Sequence, residues 1–133
     1  MGIMADLTAF LERLEGAPTV WGATDCSATP WLWLRQRGIA ARLPAYASRE
    51  EARAIVARHG DLVATWDACL DGTGVGERFG DPQLGDIAVI DTRLHGQIGG
   101  ILATGGILAI RKDDGHFAWF GPVRRFEKVW AIA

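Results

Sequence analysis

The sequence predicts an α+β fold in which N-terminal helices pack on a C-terminal antiparallel sheet. Apolar residues recur at helical spacing as far as about residue 70, and short runs of β-branched and aromatic residues follow from residue 87. Helices that precede strands in one small chain indicate separate helical and sheet layers rather than alternating βαβ units.

The first two predicted helices differ in how much of their surface is apolar. The first is amphipathic and ends before Gly16, with apolar residues three and four apart: Leu7, Phe10, Leu11 and Leu14. The second, over 30–37, is apolar nearly all round. Such a helix is typical of the middle of a small domain, and Trp31 and Trp33 are assigned to the core.

Two more helices are predicted before the strands. Ser48 and Glu51 match a capping box, in which the serine hydroxyl and the carboxylate satisfy free N–H groups at the helix start, and Gly60 ends that helix. A short helix follows over 61–70. The glycines of 71–76 then predict a loop.

Five short strands account for the rest of the chain. Gly, Asp and Pro separate the β-rich runs at 87–90, 98–103, 107–110, 117–120 and 128–132. Their close spacing predicts an antiparallel meander with the helices on one face.

Composition narrows the class of protein. The 133 residues fit one domain, 1–133, and the 49% hydrophobic content supports a folded core. A net charge of −2 and basic side chains that are scattered rather than clustered disfavour nucleic-acid binding. No apolar run is long enough for membrane insertion. The N-terminus does not resemble a signal peptide. Cys26 and Cys69 lack metal-type spacing and are expected to be reduced. Neither a metal nor another cofactor is expected.

Cys26 is the candidate nucleophile. It follows a glycine-containing turn and stands near a helix start, where unpaired N–H groups stabilise a thiolate. If the helix begins at Asp25, Cys26 lies within that field. If it begins at Thr29-Pro30, a strong start signal, Cys26 lies in the preceding loop. A catalytic cysteine also requires a base, usually histidine.

Three short motifs and a buried helix occur in the order found in a known family. The motifs are Trp21-Gly22, Asp25-Cys26-Ser27 and Gly85-Asp86, with the helix after the second. Over about residues 10–110 the chain resembles the NlpC-type cell-wall peptidases, a papain-like family. The resemblance implies an NlpC-like fold, with Cys26 at the head of a helix packed on a meander sheet and a catalytic histidine on a strand.

Two catalytic positions of that family are replaced here. Gln97 stands at the expected histidine, and an amide cannot accept a proton at neutral pH. Ala109 stands near the third, orienting position. His95 offers an alternative base, because residues two apart on an extended strand point to the same face. Alternatively, His95 lies in an exposed turn between two strands.

Aromatic residues supply the candidate partner surface. Trp119 and Phe120 precede Gly121-Pro122 near a sheet end and are candidates for an exposed anchor. Trp21 and Asp25 flank the cysteine and are assigned to the same role.

The resemblance also implies a biological context. Compact members without a signal peptide resemble tail-tip proteins of phages or phage-derived particles. The leading hypothesis is a tail-tip or hub-associated structural protein with a degenerate cysteine peptidase site, located in the virion tail or the host cytoplasm. Its expected partners are other tail-tip or hub proteins, with peptidoglycan as a further candidate.

Two other functions stay open. The first is an active peptidoglycan endopeptidase that uses Cys26 and His95. The second is a soluble adaptor or binding protein without peptidase ancestry.

Overall fold

The computed structural model describes residues 2–132, in which four helices precede five strands. The helices are α1 (Ile3–Leu14), α2 (Ala28–Gln36), α3 (Arg49–His59) and α4 (Leu62–Leu70). The strands are β1 (Ile87–Thr92), β2 (Gly96–Leu102), β3 (Leu108–Arg111), β4 (Phe117–Phe120) and β5 (Lys128–Trp130). A short 3₁₀ turn, Thr104–Gly106, joins β2 to β3. The predicted α+β class and the order of helices before strands are confirmed.

The strands form one antiparallel sheet in the order β4-β3-β2-β1-β5. The first four strands are consecutive neighbours, as a meander requires. The prediction of a simple meander is wrong for β5, which returns to the opposite edge and pairs with β1. The segment 121–127 makes this crossing over the second face of the sheet, where Val123 and Phe126 pack on the buried strand residues.

The main core lies between the helices and the first face of the sheet. Residues of α1, α2 and α4 pack there against alternate strand residues such as Val89 and Ile101. The expected position of the helices on one face is confirmed for these three helices, and α3 packs on α4. Four tryptophans are fully buried in this core: Trp31, Trp33, Trp66 and Trp130. Their apolar area contributes much of the stabilisation that offsets chain entropy.

Side-chain caps fix where α3 and α4 begin. The Glu51 N–H donates to the Ser48 hydroxyl at 3.2 Å, which confirms the serine half of the predicted capping box. The Glu51 carboxylate accepts from the Ala47 N–H rather than from that of Ser48. At the start of α4, the Asp61 carboxylate accepts from the Ala64 N–H at 2.8 Å. Each cap satisfies an N–H that has no partner within its helix.

Candidate functional site

A cleft of about 540 Å³ brings together five of the seven site residues predicted from the sequence. Its walls come from residues 21–27, one face of α3, the start of α4, the β1–β2 hairpin and the β3–β4 turn. The predicted residues that line it are Trp21, Asp25, Cys26, His95 and Gln97. Trp119 and Phe120 lie elsewhere on the sheet.

Cys26 lies in the turn that precedes α2. The helix begins at Ala28, with Ser27 at the cap position and no side-chain cap. This start lies between the two alternatives considered from the sequence. The Thr29 hydroxyl donates to the carbonyl of Thr24 at 3.0 Å instead of capping α2. Cys26 therefore stands outside the helix, although it is close to the first turn.

The surroundings of Cys26 oppose thiolate formation. Burial raises the pKa of the Cys26 thiol above its ordinary value, and the neighbouring Asp25 carboxylate raises it further. Desolvation and a nearby like charge both disfavour the anion. Within residues 2–132, no imidazole forms a hydrogen bond with the Cys26 sulfur. The nucleophile predicted from the sequence is therefore a protonated thiol in this arrangement.

Asp25 is buried, although we expected it on a partner-facing surface. Only 1% of its surface is exposed, and its carboxylate accepts from the Tyr46 hydroxyl at 2.7 Å and from the Gly22 N–H at 3.1 Å. Gly22 has φ +83°, and a Cβ atom there would overlap the Tyr46 carbonyl oxygen. Only glycine fits this position. Asp25 thus ties the Trp21-Gly22 turn to the segment that leads into α3.

Gln97 holds the start of α4 through both ends of its side-chain amide. Its Oε1 accepts from the Leu62 N–H at 2.9 Å and from the Val63 N–H at 3.2 Å. Its Nε2 donates to Asp61 at 3.2 Å. These bonds satisfy two N–H groups that α4 itself leaves unpaired. The residue at the expected histidine position therefore connects β2 to α4.

His95 lies in the turn between β1 and β2 and is exposed. Its backbone N–H donates to the Thr92 hydroxyl at 3.0 Å, which helps to close the turn. The alternative that placed His95 and Gln97 together on an extended strand is wrong, because β2 begins only at Gly96. Even so, the His95 side chain lines the same cleft as Cys26.

The remaining predicted positions do not join the cleft. Ala109 is buried on the helical face of β3 and has no polar side-chain group with which to orient a base. Trp119 is 55% exposed, whereas Phe120 is half-buried and packs with the cluster on the second face. Neighbouring residues of a strand point to opposite faces. Trp119 and Phe120 therefore do not form the single exposed anchor that the sequence suggested.

Three lining residues of the cleft that the sequence analysis did not group together are in mutual contact. Arg49, at the start of α3, pairs with Asp113 in the β3–β4 turn. Its guanidinium carbon also lies 5.6 Å from the ring centroid of Trp21. This stacked ion pair joins three segments that are far apart in sequence, so no local pattern could have revealed it.

The cleft contains no evident metal site. Within residues 2–132, no group of three or more histidine, cysteine, aspartate or glutamate side chains is arranged to hold a metal ion. The helices of this described part are all too short or too polar to cross a membrane.

Comparison with known proteins places the chain in a family. No curated protein matches the sequence. A family model described as a domain of unknown function, DUF6950, matches residues 3–132 and so covers the helices, the sheet and the cleft. The chain belongs to this DUF6950 family.

Proposed function

We propose that the chain is a structural component of a phage or phage-derived tail tip, with an NlpC-like fold and a cysteine site that no longer hydrolyses peptide bonds. The tail-tip context and the NlpC identity rest on the sequence resemblance. The loss of hydrolysis rests on the contacts of Gln97 and Cys26. Under this proposal the cleft serves assembly or binding.

The engagement of Gln97 is the observation that carries the proposal. A cysteine peptidase requires a base that removes the thiol proton and later protonates the leaving amine. Gln97 performs neither step, because its amide does not titrate near neutral pH and both ends of it are bonded to the start of α4.

The state of Cys26 supports the same proposal. Its thiol pKa is raised by burial and by Asp25, so the thiolate is scarcer at neutral pH than for an ordinary cysteine. Catalytic cysteines have the opposite property, a depressed pKa next to a cation or a helix start.

An active endopeptidase is the second candidate, because Cys26 and His95 line one cleft. In this mechanism His95 removes the Cys26 proton, and the sulfur attacks the carbonyl carbon of a stem-peptide amide. The imidazolium then protonates the leaving amine, and water hydrolyses the thioester. The β1–β2 turn would first have to bring the imidazole into hydrogen-bond contact with the sulfur.

Hydrolysis is tested by incubating the purified chain with peptidoglycan and identifying soluble fragments by mass spectrometry. We expect the wild type to release no more fragments than Cys26→Ala and His95→Ala. Release that disappears in both variants would overturn the proposal and establish the endopeptidase.

The tail-tip role requires a separate measurement. Particles purified from the strain that encodes the chain are separated into heads and tails and probed with an antibody. We expect the chain in the tail fraction at a constant ratio to the other tail proteins. Its complete absence from purified particles would contradict a structural role in the tail.

A further inference from the structure

A second groove, of about 480 Å³, lies between α1 and the connection from β2 to β3, away from the cysteine cleft. Its floor and walls are mostly apolar, with Leu7, Leu11, Leu84 and Ile107 among the lining residues. Trp119 forms one wall and is 55% exposed, and Met4 at the opening is 58% exposed. Large exposed apolar side chains that border an apolar groove are typical of interaction sites.

The groove opens beside an edge of the sheet, the outer edge of β4. β4 is the last strand of the sheet on this side, and no strand within residues 2–132 pairs with its outer edge. The Phe117 N–H points outwards, since it donates to the Glu15 carboxylate at 3.0 Å. Backbone groups two residues apart on a strand point the same way, so the N–H and C=O of Trp119 also face outwards.

The charged residues that line the groove are both acidic, namely Glu12 and Glu15. Glu15 accepts from the His116 ring at 2.7 Å and from the Phe117 N–H. Glu12 forms no ion pair and no side-chain hydrogen bond with any other described residue, so its charge is available to a partner. This charge pattern complements a cationic ligand and disfavours an acidic one.

We infer that the groove and the outer edge of β4 bind an extended, basic segment of a partner protein. The segment adds as a strand beside Trp119, inserts a large apolar side chain into the groove, and directs lysine or arginine towards Glu12. Main-chain bonds to the edge supply affinity, and the groove and acidic rim supply selectivity. This inference does not depend on the chemistry of the cysteine cleft.

The test uses capped pentapeptides and NMR signals of the isotope-labelled full chain. All peptides have threonine at the second and fourth positions. The central residue is leucine, phenylalanine, methionine or serine, and the two end residues are either both lysine or both glutamate. We expect peptides with lysine ends and an apolar centre to shift the amide and indole signals of Trp119. They should bind at least about tenfold more tightly than their glutamate counterparts.

Variants separate the three parts of the surface. Trp119→Ala, at an exposed position, should abolish the binding, which is followed in this variant by the remaining backbone amide signals because the indole is absent. Glu12→Lys should reverse the preference for lysine-ended over glutamate-ended peptides. Asp91→Lys makes the same change of charge at an exposed residue of β1 outside the groove and should leave that preference unchanged. Two further peptides test strand addition, one N-methylated at its odd-numbered residues and the other at its even-numbered residues. Only one of these two sets of N–H groups faces β4 in an added strand, so one of the two peptides should lose binding.

Three results would each overturn the inference. The first is the lack of a shift at Trp119 with every lysine-ended apolar peptide up to about 1 mM, the weak end of specific recognition. The second is equal affinity for lysine-ended and glutamate-ended peptides. The third is full binding by both N-methylated peptides, which would exclude strand pairing.

Discussion

The Tyr46 hydroxyl lies 2.9 and 2.7 Å from the two carboxylate oxygens of Asp25 and donates its hydrogen to that buried group. Burial and this bond raise the pKa of Tyr46, so the phenol stays a donor throughout the physiological range. The same carboxylate raises the pKa of the adjacent Cys26. The buried pair therefore shapes the turn before α2, and its carboxylate adds to the larger effect of burial on the pKa of the thiol.

Tyr46→Phe should destabilise the fold by about 1.5–3 kcal/mol, because it keeps the ring but removes a hydrogen bond to a buried carboxylate. The free energy of unfolding is measured by urea denaturation. Thr19→Val removes an exposed hydroxyl contact to Lys112 and should change that free energy by no more than about 0.5 kcal/mol. An equal decrease in the free energy of unfolding in the two variants would show that the bond to Asp25 stabilises the fold no more than an exposed hydroxyl contact.

Asp25→Asn should lower the pKa of Cys26. Asparagine still accepts hydrogen bonds from Tyr46 and Gly22 but carries no charge, so the like-charge repulsion disappears. In a Cys69→Ser background, the rate of alkylation by iodoacetamide is followed against pH, and its midpoint should move to lower pH.

Asp113→Asn is the control for this titration, since it neutralises another carboxylate of the same cleft, whereas burial and Asp25 are what raise the thiol pKa. Its midpoint should match that of the Cys69→Ser parent. A midpoint for Asp25→Asn at or above that of the parent would contradict the electrostatic account.

Gln97→Ala should destabilise the fold by about 1–2 kcal/mol, because the Leu62 and Val63 N–H groups lose their acceptor. Gln36→Ala is the matched control, as its side-chain amide accepts one exposed bond, from Arg13, and makes no other with a described residue. It should change the free energy of unfolding by less than about 0.5 kcal/mol. If Gln97→Ala is as stable as Gln36→Ala, the capping role of Gln97 is wrong.

Gly99→Ala should cost about 1–3 kcal/mol, because a Cβ atom at this position of β2 would overlap the ring of the buried Trp66. Gly76→Ala introduces the same methyl group where, its chain neighbours aside, no heavy atom of residues 2–132 lies within 4 Å, and it should be close to neutral. Thermal or urea unfolding of the two variants checks the difference. Similar stabilities would mean that the Trp66 side chain can move aside without cost.

Local patterns predicted most of the elements but not how the sheet is ordered. Helical periodicity, the Ser48 capping box and the β-rich runs indicated four helices and five strands, because these signals act between near neighbours. The position of β5 could not be read in this way. It depends on which edge the 121–127 segment reaches after it crosses the apolar second face.

The sequence by itself determined the α+β class, the presence of Cys26 after a glycine turn, and glutamine where the resembled family has histidine. Only the tertiary structure decided what these residues do. Gln97 finds its partners in α4, some 35 positions away, and Asp25 finds Tyr46 across 21 positions. Hydrogen bonding and burial depend on which surfaces come into contact when the helices pack on the sheet. The spacing of residues near one another in the sequence does not determine these contacts.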